Sequence, residues 1–323
     1  MIIVRKIFWS VIFVVAALFL LLVGLGFQGD PAVSIPPGVA GREVVADHLK
    51  LRVVESGNGP RAVILLHGMI GSAEDWETVV PLLDDRYHVF AVDRPGHGYS
   101  ESPRETNNVA LNARVVQHLI TALDLKNVVV VGHSYGGSVA LQLAAEPPAE
   151  LRGVVLVAPG AYPDFPAGAL ERLIAAPIVG RGLTRLLIPL IGEGQIRQQL
   201  AAALAPDGDI VSKDFFDKRV GLWKQPGPLR AYAEHSLGFN ADLEPLSRQY
   251  ARISKPVVIL QGEADASSGI GKRSVQLASE IHGAQLRSFP ATGHYLQYRH
   301  PQAVVEAVDR LYGSAMNTRT HRK

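Results

Sequence analysis

Apolar residues along this chain gather in runs of two lengths, and each length predicts a different element. The longest run, Ile7 to Phe27, has Ser10 as its only polar residue and is long enough to cross a bilayer as a helix. Short runs recur at Ala62 to Leu66, Val89 to Val92, Val128 to Val131, Val154 to Val157 and Val257 to Leu260, and Leu286 to Phe289 adds a more polar one. Strands that apolar and that short suit a mostly parallel sheet buried on both faces. Helical candidates lie between them at Ala73 to Leu83, Val109 to Leu123 and Ser138 to Ala145. Val44-Val45 and Leu49 to Glu55 read as an opening hairpin, and Pro301 opens a last helix to about Tyr312. This βαβ rhythm predicts a doubly wound α/β fold.

The rhythm lapses between about Tyr162 and Ser254. That span is rich in Leu, Ala, Gly and Pro and reads as a helical lid inserted over the carboxyl edge of the sheet. The expected organisation is a membrane anchor or signal segment over 1–27, a linker over 28–41, a core over 42–161 and 255–313, a lid over 162–254 and a basic tail over 314–323. Arg5 and Lys6 precede the apolar run, whereas only Asp30 lies between it and Arg42. The positive-inside bias then leaves the N-terminus in the cytoplasm and the domain that follows on the periplasmic or extracellular side. Cleavage at Gly24-Leu25-Gly26, giving a secreted protein, is the alternative. The same glycines, with Gly29, spell G-x-G-x-x-G. A dinucleotide site needs a strand before that motif and a helix after it, and here Asp30-Pro31 follows.

Composition narrows the chemistry. With 323 residues, 47% hydrophobic and 19% charged, the chain can bury the core of one sizeable domain with an insertion. A net charge of +2 and no basic stripe speak against nucleic acid as a partner. The absence of cysteine excludes disulfides, thiol catalysis and a cysteine lipid anchor. Eleven histidines are scattered without metal-ligand spacing, so neither a metal nor a cofactor is expected. Oligomeric state is left open.

Gly132-His133-Ser134-Tyr135-Gly136 follows the valine run and precedes a helix former, the setting of a nucleophile elbow. A strained turn there holds a serine hydroxyl clear of the backbone beside a helix N-terminus, and side chains at 132 or 136 would crowd it. His67-Gly68-Met69-Ile70-Gly71-Ser72, running on to Trp76, and Asp93-Arg94-Pro95-Gly96-His97-Gly98-Tyr99-Ser100 complete a set. With the elbow, these segments resemble the α/β-hydrolase superfamily, in its lid-bearing serine esterase, lipase and peroxidase-like branch. The resemblance runs from Val44 to Tyr312.

It implies Ser134 as nucleophile, Asp265 as acid and His294 as base, in the family's chain order, with the backbone N–H groups of Met69 and Tyr135 as oxyanion hole and no cofactor. Asp164 and Glu263 are the rival acids. His67, His97 and His133 are expected to support loop geometry and Asp93 to shape its turn. Trp76 and the lid leucines Leu186 and Leu187 are the expected substrate contacts. The apolar lid favours a small-molecule ester with an apolar acyl or alcohol group. Ordinary lid packing, or contact of Arg172, Arg181 and Arg185 with an anionic bilayer, would explain the same residues. Carbon–carbon bond hydrolases and cofactor-free peroxidases or perhydrolases of the fold are alternatives, as is a non-catalytic binding or sensor protein. Epoxide hydrolases and haloalkane dehalogenases of the family carry an aspartate at the place of Ser134.

Overall fold

Eight strands form one sheet: β1 (Arg42–Ala46), β2 (Leu49–Ser56), β3 (Ala62–Leu66), β4 (His88–Val92), β5 (Val128–His133), β6 (Leu151–Val157), β7 (Val257–Gly262) and β8 (Gln285–Phe289). Their order is β1-β2-β4-β3-β5-β6-β7-β8. The computed structural model describes residues 2–28, 34–191, 193–211, 213–267 and 270–313. The expected basic tail and linker residues 29–33 lie outside them.

The first two strands form the expected antiparallel hairpin, turned at Asp47 and His48, whose φ of 48° and 65° suit a two-residue turn matching the strand twist. β2 also runs antiparallel to β4, and every other pairing is parallel. Because side chains alternate across a strand, the apolar runs feed two cores. Ile64, Leu66, Phe90, Val128 and Val130 face one, and Val63, Leu65, Val89, Val129 and Val131 face the other. Helices α3 (Val109–Ala122) and α4 (Tyr135–Ala145) pack on the first face. The second is covered by α12 (Pro301–Tyr312) with the short α2 (Val80–Leu83). The helix expected over Ala73 to Leu83 is broken in two, a 3₁₀ turn at Ala73–Trp76 and then α2, because Pro81 sits in the first turn of α2.

Chain order supplies the rest. α1 (Ile2–Phe27) leads into the sheet, and α5 (Ala169–Ala175), α6 (Val179–Leu187), α7 (Glu193–Leu204), α8 (Lys213–Trp223) and α9 (Pro226–Ser247) form a helical insertion between β6 and β7. Two further helices, α10 (Ile270–Glu280) and α11 (Leu296–Arg299), flank β8. Buried polar contacts fasten the insertion to the core. Arg219 on α8 reaches Asp75 at 2.7 Å with both side chains buried, and Asp207 Oδ2 accepts from Gly293 N at 2.6 Å. Removing one partner of so buried an ion pair costs about 3–5 kcal/mol.

β3 pairs with β4 on one side and β5 on the other, so the chain's path reverses direction across the sheet at this point. Open α/β sheets place their crevice at such a switch, outside the carboxyl ends of the strands. The loops after β3, β5, β7 and β8 all end there.

Candidate active site

Ser134 joins β5 to α4 with φ 52° and ψ −115°, a conformation that costs a non-glycine residue of order 1–3 kcal/mol and persists only where its surroundings enforce it. They do so here. Ser134 N donates to Val157 O at 3.0 Å, and Ser134 O accepts from Gly137 N at 2.9 Å and Gly160 N at 3.1 Å. The flanking glycines follow from the crowding. A Cβ at Gly132 would lie 2.1 Å from Gly136 O, and one at Gly136 would lie 2.4 Å from Leu66 O.

The ends of β7 and β8 carry the other two side chains. His294 Nδ1 lies 2.7 Å from Asp265 Oδ2, with the carboxylate fully buried and the imidazole 12% exposed. Gly262 lets these loops meet, since a Cβ there would lie 2.3 Å from both Thr292 O and Gly293 O. Burial alone would raise the Asp265 carboxyl. The charge and hydrogen bond of His294, with Ser267 N donating to Oδ1 at 2.8 Å, outweigh burial and hold it down at about 2. Among the rivals, Asp164 pairs with Arg273 at 3.3 Å and Glu263 is exposed.

His133 Nε2 donates to His294 O at 3.0 Å, and burial followed by the neighbouring His294 charge pushes the His133 ring down to about 3, so it stays neutral. His67 accepts from Arg94 N at Nε2, 3.0 Å, which leaves Nδ1–H to donate to Gly68 O at 2.8 Å. His97 Nε2 sits 2.8 Å from Met69 O. Asp93 receives Ala73 N and Tyr99 N at 2.7 and 2.9 Å, shaping its turn.

Arg94 was missed by the sequence reading although it stands inside the quoted Asp93 to Ser100 segment. Buried under the Tyr135 ring, it donates from Nη2 to Gly68 O at 2.7 Å and from Nε to His67 O at 3.0 Å. The C=O and N–H of one trans peptide point in opposite directions. Holding Gly68 O on the Arg94 side therefore aims the Met69 N–H to the other. Neither Met69 N–H nor Tyr135 N–H donates to a protein acceptor among the described residues.

Ser134, Tyr135, Met69 and His294 line one cavity of about 220 Å³. Its apolar wall includes Ile70, Phe165, Tyr232 and Phe239, the last two from α9 of the insertion, and Asp164 with Arg273 adds charge. Trp76 is elsewhere. It is fully buried on the second face of the sheet with Val79, Leu83 and Val89, because the turn Ala73–Trp76 folds back under β3. Leu186 and Leu187 also lie off the cavity, half-exposed on α6, which packs against α1 rather than over Ser134. These placements correct the expected substrate contacts.

Comparison with known proteins agrees with this architecture. The family model for the alpha/beta hydrolase family matches residues 63–307. An uncharacterised protein of Mycobacterium tuberculosis is 28% identical over 85% of this chain and 81% of its own. The 2-hydroxy-6-oxononadienedioate/2-hydroxy-6-oxononatrienedioate hydrolase 1 of Pseudomonas putida is 24% identical over 78% of this chain and 88% of its own. Among solved structures, the enol-lactonase from Burkholderia xenovorans superposes with a TM-score of 0.69 at 18% identity, covering 84% of this chain and all of that one. With the match spanning the sheet from β3 to α12, the chain belongs to the alpha/beta hydrolase family.

Proposed function

We propose that the protein is a serine hydrolase held at a membrane by α1, and that it cleaves carboxylic esters with apolar acyl or alcohol groups. The observation that carries this reading is the Asp265–His294 pair at 2.7 Å, which faces one largely apolar cavity together with the strained Ser134. Asp265 keeps the proton on His294 Nδ1, so Nε2 is the base that takes the Ser134 proton. Ser134 Oγ then bonds to the ester carbon, and the oxyanion accepts from Met69 and Tyr135 N–H, each such donor being worth about 3–4 kcal/mol. Collapse breaks the bond to the alcohol oxygen, which leaves with the proton held by His294. Water, deprotonated by the same imidazole, frees the acid and restores Ser134.

The span reading of α1 is supported by a mean hydropathy of 2.8 with none of its apolar window buried. Arg5 and Lys6 at its start favour a catalytic domain outside the cytoplasm.

A second reading, hydrolysis of a carbon–carbon bond, is favoured by Arg273. Its guanidinium lies in the cavity wall over the Tyr162 ring, with Nε at 3.3 Å from Asp164, and would suit a substrate carboxylate such as those in the dioate named for the Pseudomonas relative. The test uses the full chain in detergent micelles against p-nitrophenyl esters from acetate to palmitate, a vinylogous diketone acid, and acetate with peroxide. Ester turnover abolished by Ser134→Ala supports the first reading. Turnover of the diketone alone moves the assignment to the second, and activity only with peroxide to a perhydrolase. No turnover and no labelling by a fluorophosphonate leaves a binding or sensor protein.

A further inference from the structure

The C-terminal turns of α1 are not free of the domain. They pack against α6 at two places where only glycine fits: a Cβ on Gly26 would lie 2.1 Å from Ile178 O, and one on Gly182 would lie 2.0 Å from Leu22 O. As α6 advances from Ile178 to Gly182, its neighbour on α1 retreats from Gly26 to Leu22. The two helices therefore run antiparallel, with backbones in close approach, and α6 points back along the apolar helix.

We propose that α6 is itself embedded in the bilayer that α1 crosses, so the insertion above the active site rests in the membrane and not merely near it. This rests on the reading of α1 as a span, and the depth follows from it. Ile7 to Phe27 makes about 31 Å of helix, matching a hydrocarbon core of about 30 Å, so Phe27 marks the exit boundary. Leu22 then sits about 8 Å inside that boundary, and Gly182 beside it is at the same depth.

The sequence of α6 is built for that position. Val179, Leu183, Leu186 and Leu187 share one side of the helix, and Arg181, Thr184 and Arg185 the other. Arg185 reaches back toward the boundary, where its Nη1 donates to Leu25 O at 2.8 Å and Gln28 Oε1 at 2.9 Å. The Thr184 hydroxyl is satisfied within the helix by Arg181 O at 3.0 Å. Leu170 and Leu173 on α5, which packs against α6, and Leu190 just beyond α6 are 58%, 47% and 77% exposed. Both α5 and α6 pack on α9, whose Tyr232 and Phe239 wall the cavity. A substrate dissolved in lipid would thus lie beside the element that roofs the cleft.

The chain contains no cysteine, so single labels can be placed without background. Leu187→Cys, Phe13→Cys and Lys126→Cys, each in the full-length protein, would carry a nitroxide in vesicles of phosphatidylcholine and phosphatidylglycerol. Collision of the label with oxygen, which concentrates in lipid, is compared with collision with a water-soluble nickel chelate. The expected result is a ratio several-fold higher at Leu187 and at Phe13 than at Lys126, an exposed position on the core. A lipid-like ratio at Phe13 with a Lys126-like ratio at Leu187 would overturn the embedding of α6 and leave the span intact. Water-like ratios at both would overturn the span reading and the embedding with it.

Discussion

Replacing Asp265 by Asn tests the proposed division of labour in the site most sharply, because it leaves size and shape almost unchanged. The attraction between Asp265 and His294, with the Ser267 contact, lowers the carboxyl from 3.8 to about 2 against the opposing effect of burial. That shift corresponds to about 2.4 kcal/mol, or roughly 60-fold. The folded value is the depressed one, so this stabilisation is present above pH 3.8 and is lost as pH falls through about 2. The same attraction is available to the imidazolium that forms when Ser134 gives up its proton. Loss of the charge alone should then lower kcat. Asn adds a second penalty, since its amide can donate to Nδ1 and so place the imidazole proton on Nε2, where the base is needed. The two effects together should bring the loss in kcat to about 10⁴ with little change in KM. The assay is p-nitrophenyl butyrate hydrolysis by the full chain at neutral pH, with thermal unfolding checked in parallel. A folded Asp265→Asn enzyme that loses less than tenfold would refute the assignment. Asp164→Asn should stay within a few-fold of wild type, because Asp164 pairs with Arg273 and not with His294; the reverse pattern would move the acid to Asp164.

Ser134→Ala should abolish fluorophosphonate labelling and lower kcat by about 10⁴ or more, and labelling that persists would show another nucleophile. Gly136→Ala should destabilise the protein by about 1–3 kcal/mol or more, since its Cβ meets the Leu66 carbonyl and not a side chain that can move, and an unchanged Tm would contradict the packing argument. Trp76→Ala should cost about 3–5 kcal/mol in urea unfolding while leaving the ranking of acyl chains unchanged, in keeping with its burial under the sheet. Phe239→Ala, in the cavity wall, should instead shift the optimum acyl length upward, and an identical profile for the two variants would remove Phe239 from the substrate path.

Local sequence determined the parts of this protein whose physics is local. Valine and leucine runs of four or five residues suit strands covered on both faces, and they became β3 to β7 within three residues at their ends. Gly132 announces the elbow because the crowding it relieves, against Gly136 O, arises within a few residues of Ser134, whereas the crowding at Gly136 comes from Leu66 O on β3. The places of Asp265 and His294 were legible through the family's chain order; that they meet at 2.7 Å depends on β7 and β8 lying side by side, a pairing between strands more than twenty residues apart. What the sequence left undecided was which apolar residue goes where. Trp76, Leu186 and Phe239 are all apolar and near functional segments, yet one fills the far core, one lies beside α1 and one walls the cavity. Hydrophobic burial is non-directional, so composition says that such residues are covered and only tertiary packing says by what. Arg94 and Gly26 show the same division: a charge inside a quoted motif became a buried clamp on the Met69 loop, and a glycine in an apolar helix became the contact that receives α6, both through partners far away in sequence.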